Sequence, residues 1–379
     1  MLRIERVEGY HDLGRFIHVP WSVYADDPHW VPPLKLERRL HFSRHNPYFE
    51  HAVWAAWIAY RGTQPVGRIS AQVDRLSLER HADATGSFGL IEADNNRETF
   101  ARLFETAEQW LREQGMVRVR GPFNLSINDE CGLLVDGFDT APSIMMGHAP
   151  KYYREHVEAC GYEKAVDVFA YRMHPDFPMT ETMKKIIDRS NRVRKGTFAI
   201  RSLRRNDINR DIEVLRDIFN EAWDENWGFV PFTEAEFREL GTLLKSVVDV
   251  DFIKIAEIDG EAIAFIVCLP NINEFIADLN GRLLPFGWAK LLMRLKTSHP
   301  RSVRVPLMGI RKEFQRGLTG SGISLGLIHS IKDAVLRHEA TEVEMGWILE
   351  HNKSMRSIIE AIGGVVAKRY RMYEKVLAS

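Results

Sequence analysis

Cysteine is scarce in this 379-residue chain: Cys131, Cys160 and Cys268 stand far apart, with no CxxC. That excludes a disulfide framework and a cysteine-based zinc module, and no metal is expected. A reducing, cytosolic setting is the simplest fit. An excess of one charge is also missing, since 51 Lys and Arg face 52 Asp and Glu for a formal net charge of −1. General nucleic-acid binders carry a strong basic excess, so no nucleic-acid partner is expected. Long apolar runs are absent too. No stretch approaches the roughly 18 residues of a spanning helix, and Met1-Leu2-Arg3-Ile4-Glu5-Arg6 does not read as a signal peptide, so any membrane contact is expected to be peripheral. What remains is a chain with 45% hydrophobic residues, long enough for two cores.

The richest pattern lies between Val305 and Lys375. Arg304 to Ile310 reads as a strand. Arg311 to Gly322 follows as a turn with Gly317, Gly320 and Gly322, and an apolar helix is predicted from about Ile323 to Arg337. Three glycines let backbone N–H groups converge at a helix N-terminus, where an anion such as pyrophosphate binds. Glu342 to Leu349 reads as a second strand, and Glu350-His351-Asn352 precedes a helix over 353–362 that Asn352 can cap. Gly363-Gly364 and a strand through Arg369-Tyr370-Arg371-Met372-Tyr373 close the block.

This order resembles the GNAT superfamily of acyl-CoA N-acyltransferases. The glycine spacing fits Gly320 and Gly322, while the position expected to hold Arg or Gln is Gly317, with Arg316 one residue early. The resemblance implies acyl-CoA as co-substrate, with Met308, Gly309 and Ile310 along the pantetheine arm, Arg316, Gly317, Leu318, Thr319, Gly320, Ser321 and Gly322 around the pyrophosphate, and Asn352 nearby. It implies direct attack of a neutral amine on the thioester, with strand backbone polarising the carbonyl. Glu344, Glu313 and His351 are the candidate bases. The helix after Asn352 has no Tyr to protonate the leaving thiolate; Tyr370 and Tyr373 are substitutes in type only, Tyr152 or Tyr153 of the other domain could reach across, and the acid stays unassigned.

A faint internal repeat runs through the chain. Arg154, Glu158, Ala159, Gly161 and Tyr171 match Arg356, Glu360, Ala361, Gly363 and Tyr373 at a constant offset of 202 residues. Ile58 to Gly67 and Ile255 to Ala264 both read as hairpins. Each half then reaches a helix and a strand: Glu98–Gln114 with 117–120, and Ile323–Glu339 with 342–344. The fold class expected is α/β (α+β), two GNAT-like domains each with a mixed central sheet flanked by helices. The boundaries are 1–173 for a degenerate N-terminal domain contributing to the acceptor site, 174–197 for a linker helix ending in Arg192-Val193-Arg194-Lys195-Gly196, and 198–379 for the domain with the acyl-CoA motif.

The first half lacks a glycine cradle. Its strand near Gly89-Leu90-Ile91-Glu92 runs into Ala93-Asp94-Asn95-Asn96-Arg97-Glu98, and carboxylates there repel a pyrophosphate. It concentrates polar groups instead at Asn124, Asn128, Glu130, His148, Tyr152 and Tyr153, which suits either a polar head group or a loop satisfying its own backbone. Between 283 and 296, Leu284, Trp288, Leu291, Leu292 and Leu295 form an apolar stripe, with Lys290 and Arg294 behind, Arg282, Lys296, Arg301 and Arg304 flanking, and Pro285 in the first turn. Such a helix either packs on a core or lies on anionic lipid, with Trp288 touching the substrate. In whole-chain organisation the sequence is similar to tandem-GNAT bacterial proteins that include sphingoid-base N-acyltransferases. The implied function is transfer of a medium or long acyl chain from CoA to the amine of a lipid or amphiphile. A short-chain acetyltransferase, a non-catalytic acyl-CoA sensor and a Fem-like aminoacyl transferase stay open. Acyl chain length, acceptor amine and oligomeric state are not legible.

Overall fold

The computed structural model describes residues 1–193 and 196–377, so Arg194 and Lys195 of the basic run lie outside the described residues. The strands are β1 Leu2–Arg6, β2 Ala52–Arg61, β3 Gln64–Asp74, β4 Thr85–Ala93, β5 Arg118–Gly121, β6 Leu133–Asp136, β7 Glu163–Met173, β8 Phe198–Ser202, β9 Ile253–Ile258, β10 Glu261–Pro270, β11 Ser302–Ile310, β12 Glu342–Leu349 and β13 Val365–Val376. Two compact units emerge. The first holds Met1–Val168, Ile276–Ala289 and Lys368–Ser379, and the second holds Phe169–Phe275 and Lys290–Ala367.

In the first unit β1, β2, β3, β4, β5 and β13 are neighbours in that order, and β6 also pairs with β13. The pairing is antiparallel except for β4 with β5. The expected hairpin at Ile58–Gly67 is present, turning at Gly62 with φ +65°. Helix Arg97–Glu113 buries Phe100, Leu103, Phe104, Ala107 and Leu111, an i, i+3, i+4, i+7, i+11 set. In the second unit β8, β9, β10, β11 and β12 follow in order, antiparallel except for β11 with β12. Ala170 of β7 packs against Gly346 of β12. Ile323, Leu327 and Ile331 of helix Gly317–Arg337 meet Val303, Val305, Val343 and Met345 in one core.

Two elements depart from the sequence expectation. Helix Gly317–Arg337 begins six residues before Ile323, so Gly320 and Gly322 lie inside its first turns rather than in a preceding loop. Close packing is the reason. A Cβ on Gly320 would fall 1.9 Å from the Gln315 carbonyl oxygen, and one on Gly322 would fall 2.2 Å from Ser190 Cβ on helix Glu181–Val193. Pro285 lies outside the helix it was expected to open, which spans Gly287–Thr297.

The repeat is visible in the contacts. In the first unit Tyr373 OH donates to Glu158, which Arg154 also bonds. In the second, Tyr171 OH donates to Glu360 at 2.8 Å, and Arg356 donates to the Tyr171 hydroxyl at 2.9 Å. Each repeat's tyrosine therefore serves the other repeat's glutamate, because the second half of β7 sits in the second unit and the body of β13 returns to the first.

Candidate functional site

Pairing between β11 and β12 runs from Ser302↔Glu342 to Val305↔Met345, although the strands continue to Ile310 and Leu349. Beyond Val305 the two strands splay. The cause is visible on the other side of β11, where the register with β10 shifts from Leu307↔Val267 to Arg304↔Leu269, placing three steps of β11 opposite two of β10. A bulge of this kind bends the strand and re-aims its side chains. Pro306 at the bulge has no N–H to give a neighbour. Leu307, Met308, Trp347 and Ile348 line the open part as half-buried residues.

Just beyond the splay, helix Gly317–Arg337 presents its first N–H groups. The Arg316 side chain at the cap position makes no capping bond, Gly317 has φ +63°, and the first turn holds no acid. Unpaired donors plus the helix dipole favour an anion. Arg316 stands exposed at the cap position, Leu318 is exposed, and Thr319 and Ser321 are half-buried. Thr319 O accepts from Ser190 Oγ, and Ser321 Oγ donates to Gly317 O. The loop before the cradle is fixed to helix Ile208–Trp223. Glu221 accepts from the Arg311 guanidinium and from Lys312 N–H, Lys312 Nζ pairs with Asp224 at 2.8 Å, and Gln315 Nε2 donates to Ala222 O at 3.2 Å. An uncapped helix end and a splayed parallel strand pair fit a nucleotide pyrophosphate followed by an extended arm with amides. The arm would lie along Met308, Gly309 and Ile310 as an added strand.

The candidate bases are dispersed. Glu344 is 2% exposed and lies one residue before pairing ends, with Oε1 3.7 Å from Nε of Arg304, itself 3% exposed. Arg304 Nη2 also donates to Gly346 O at 2.9 Å. Arg304 is thus a buried partner of Glu344 rather than part of a basic rim. Glu313 and His351 are exposed. Asn352 Oδ1 accepts from Met355 N–H at 3.1 Å, the helix cap its position suggested. Tyr370 is fully buried in the first unit, on β13 where it pairs with Leu134. Trp223, Glu221 and Arg304 were not singled out from the sequence as site residues. The density of rings in Phe219, Trp223, Trp227, Phe229 and Phe232 was the available signal.

The expected acceptor residues of the first unit fall into separate hydrogen-bonded groups. Asn124 Oδ1 accepts from Leu90 N–H at 2.8 Å and its Nδ2 donates to Glu130 at 3.0 Å. Arg38 approaches Glu130 at 3.6 Å. Burial, with the Arg38 charge beside it, pushes His41 down to about 3. Asn128 N–H donates to Ser126 Oγ. His148 Nε2 lies 2.8 Å from Asp27 Oδ2, and burial lowers the imidazole pKa despite that carboxylate. Burial opposes ionisation of Asp27, but His148 and the His29 N–H outweigh it and hold its pKa below the ordinary value. Tyr152 OH donates to Ala93 O, and Tyr153 OH accepts from Ala93 N–H. Burial raises Tyr152 to about 12 and Tyr153 well above its usual value.

Trp288 is elsewhere, in a segment whose large apolar side chains are mostly exposed, with Leu283 and Leu291 half-buried. Leu284 and Phe286 are each 78% exposed, Trp288 54%, Met293 59% and Leu292 45%, and helix Gly287–Thr297 buries no residue. Arg282, Lys290, Lys296 and Arg301 are exposed around it. Among the described residues no helix is long and apolar enough to cross a membrane, and no group of three or more His, Cys, Asp or Glu is placed to hold a metal.

No family model matches the chain. It is 50% identical over 366 residues to Protein YghO of Escherichia coli K12, covering 96% of this chain and 93% of that one. It is 44% identical over 371 residues to the bacterial ceramide synthase of Caulobacter vibrioides, covering 97% and 95%. Among solved structures, a tandem GNAT protein from the clavulanic acid biosynthesis pathway aligns over 100% of this chain and 99% of its own, with TM-score 0.56 and 12% identity. A GCN5-related N-acetyltransferase from Sphaerobacter thermophilus covers 99% and 96%, with TM-score 0.52 and 13% identity.

Proposed function

The chain belongs to the family of the bacterial ceramide synthase, a tandem-GNAT family of acyl-CoA-dependent N-acyltransferases, and from that premise we propose that it moves a medium or long acyl chain from CoA to the amine of a membrane lipid or amphiphile such as a sphingoid base. The observation that carries the lipid part is the largely exposed segment Leu284–Leu295. Six large apolar side chains there (Leu284, Phe286, Trp288, Leu292, Met293 and Leu295) are 39% to 78% exposed. Isolated surface leucines need no explanation, but so dense a run with basic neighbours suits the boundary of an anionic bilayer. There the acceptor lipid and the acyl thioester are both concentrated.

The residues of the second unit supply binding and orientation. Uncapped N–H groups at Gly317 to Thr319 hold the pyrophosphate. The splayed edge of β11 aligns the arm so that the thioester carbonyl comes into the open part of the splay beside Met308, where strand N–H groups stabilise charge on its oxygen. The neutral amine nitrogen bonds to the carbonyl carbon, the carbon–sulfur bond breaks, the surplus proton on nitrogen passes to water, and CoA leaves as its thiolate to be protonated by solvent.

The test uses purified protein, sphinganine in vesicles containing phosphatidylglycerol, and either palmitoyl-CoA or acetyl-CoA, with amide product measured by mass spectrometry. Palmitoyl transfer at least tenfold above acetyl transfer is expected. Replacing Leu284, Phe286 and Trp288 together with Ser is expected to lower vesicle binding about tenfold and leave the melting temperature unchanged. Preferential acetyl transfer, or a variant that binds vesicles as the parent does, overturns the lipid reading.

A further inference from the structure

Helix Ile208–Trp223 ends on an indole that touches both splayed strands. Trp223 Nε1 donates to Met308 O of β11 at 3.1 Å. Its ring meets Trp347 of β12 edge-on, with centroids 5.5 Å apart and planes at 73°. Met308 and Trp347 both lie past the Val305↔Met345 pair, so one side chain bridges the open part of the splay. Phe219 supports the indole at 4.8 Å and itself meets Phe229 and Phe232. The end of this helix is also tied to the loop before the glycine cradle through Glu221, Ala222 and Asp224. The depth of the indole in the splay and the position of the anion-binding helix end are therefore set by one connected piece of structure.

The geometry points to Trp223 as the residue that decides how deep an acyl thioester enters and which acyl chains are accepted, an inference that rests on the acyl-CoA reading above. An arm with amides adds to β11 by bonding to backbone groups that β12 leaves unpaired. At Met308 the carbonyl is already engaged by the indole N–H, so strand addition stops there. The thioester then rests against the ring, and the acyl chain must turn at a wall that buried Phe219 and Phe229, with Phe232, hold rigid from behind. A rigid aromatic wall of this kind discriminates by size, since each misplaced methylene in an apolar pocket changes affinity by roughly one to two orders of magnitude. The role is one of positioning and specificity, because no proton or electron pair moves through the indole.

The test is calorimetric and needs no acceptor. CoA, octanoyl-CoA and palmitoyl-CoA, each below its micellar concentration, are titrated into the wild type, Trp223→Phe and Trp223→Ala. Trp223→Phe keeps the ring and loses the N–H, and is expected to weaken all acyl-CoAs about fivefold through a freed Met308 carbonyl. Trp223→Ala removes the wall, and is expected to change the palmitoyl-to-octanoyl affinity ratio at least tenfold while CoA itself changes less than threefold. A merely structural tryptophan would lower the melting temperature and leave that ratio where it was, which overturns the inference. If the alanine variant does not fold, an unaltered set of affinities in the phenylalanine variant overturns it equally. Failure of the wild type to bind CoA sinks the acyl-CoA reading itself, whereas wild-type binding with unmoved affinities in both variants sinks only the part assigned to Trp223.

Discussion

The two units build the same strand crossover and leave it in opposite states. In each, one strand pairs parallel with the next for a few residues and is then bulged away. β4 pairs with β5 through Thr85–Ser87 and Arg118–Arg120, and its register with β3 shifts between Ser70↔Gly89 and Arg68↔Glu92. β11 behaves alike against β12 and β10. In the first unit the chain itself then fills the gap. Phe123 N–H donates to Phe88 O at 2.8 Å, Leu90 N–H donates to Asn124, and Gln72 Nε2 donates to the carbonyls of Phe123 and Leu125. The helix that follows is closed too, with Asn96 accepting from the N–H groups of Glu98 and Thr99 and with Asp94 paired to Arg61. In the second unit no backbone bond between β11 and β12 continues past Val305↔Met345, a side chain, Trp223, reaches across instead, and Arg316 makes no capping bond at the helix end. On the proposed reading the repeat separates scaffold from site: backbone donors that satisfy themselves hold structure, and donors left over are the ones proposed to hold a ligand.

The sharpest way to break this contrast is to add one methyl group in each unit, at a glycine that a backbone carbonyl approaches closely. A Cβ at Gly320 would meet the Gln315 carbonyl oxygen at 1.9 Å, and one at Gly89 would meet the Phe123 carbonyl oxygen at 1.8 Å. Gly→Ala inside a helix ordinarily stabilises by about 1 kcal/mol, but here the backbone contact reverses the sign. Gly320→Ala is expected to displace the cradle and weaken CoA binding more than a hundredfold by calorimetry. Gly89→Ala is expected to cost roughly 1–3 kcal/mol of stability in urea and to leave CoA affinity within a factor of two. Equal loss of affinity in both variants would mean that the plugged crossover also takes part in binding.

A smaller effect, but one with opposed signs, is expected at the helix end. Arg316 occupies the cap position with extended backbone, φ −89° and ψ 150°. Asp there would accept from the first N–H groups as Asn96 does in the first unit. Arg316→Asp is therefore expected to stabilise the helix by about 0.5–1 kcal/mol while weakening CoA binding ten- to fiftyfold, since the donors are taken and like charges repel. A melting temperature and an affinity that fall together would show that Arg316 holds the loop rather than faces the anion.

Much of this was legible in the sequence, and the misses share a cause. Local chemistry marked the β2–β3 and β9–β10 hairpins, the span Glu342–Leu349 and the Asn352 cap, because turn glycines, alternation and capping act within a few residues. Long-range packing left no such mark. Gly320 and Gly322 read as a loop because their partners, Gln315 backbone and Ser190, are set by tertiary contact. Arg304 read as a rim charge because its partner Glu344 comes from the next strand. Trp223 stands 85 residues from the carbonyl it holds. The apolar segment 284–295 left two readings open, and exposure favours the one in which no core covers it.

The least disruptive probe concerns the exchanged tyrosines. Tyr373 and Tyr171 occupy matching places in the repeat, both have no exposed surface, and each donates to a glutamate, Glu158 at 3.2 Å and Glu360 at 2.8 Å. Removing a hydroxyl whose acceptor remains reachable by water costs about 1 kcal/mol, so Tyr373→Phe and Tyr171→Phe are each expected to lower stability by that order, read from urea midpoints with unchanged slope. The difference lies in what else each hydroxyl carries. Tyr171 OH also accepts from Arg356 Nε at 2.9 Å, so its loss strands a guanidinium donor and is expected to be the larger of the two. Both substitutions should leave CoA affinity alone, since neither glutamate lies in the splay or at the uncapped helix end. If Tyr171→Phe weakened CoA binding, the helix Lys353–Ala361 that carries Glu360 would have to be part of the binding surface, and the division between self-satisfied scaffold and unsatisfied site would need redrawing at that helix.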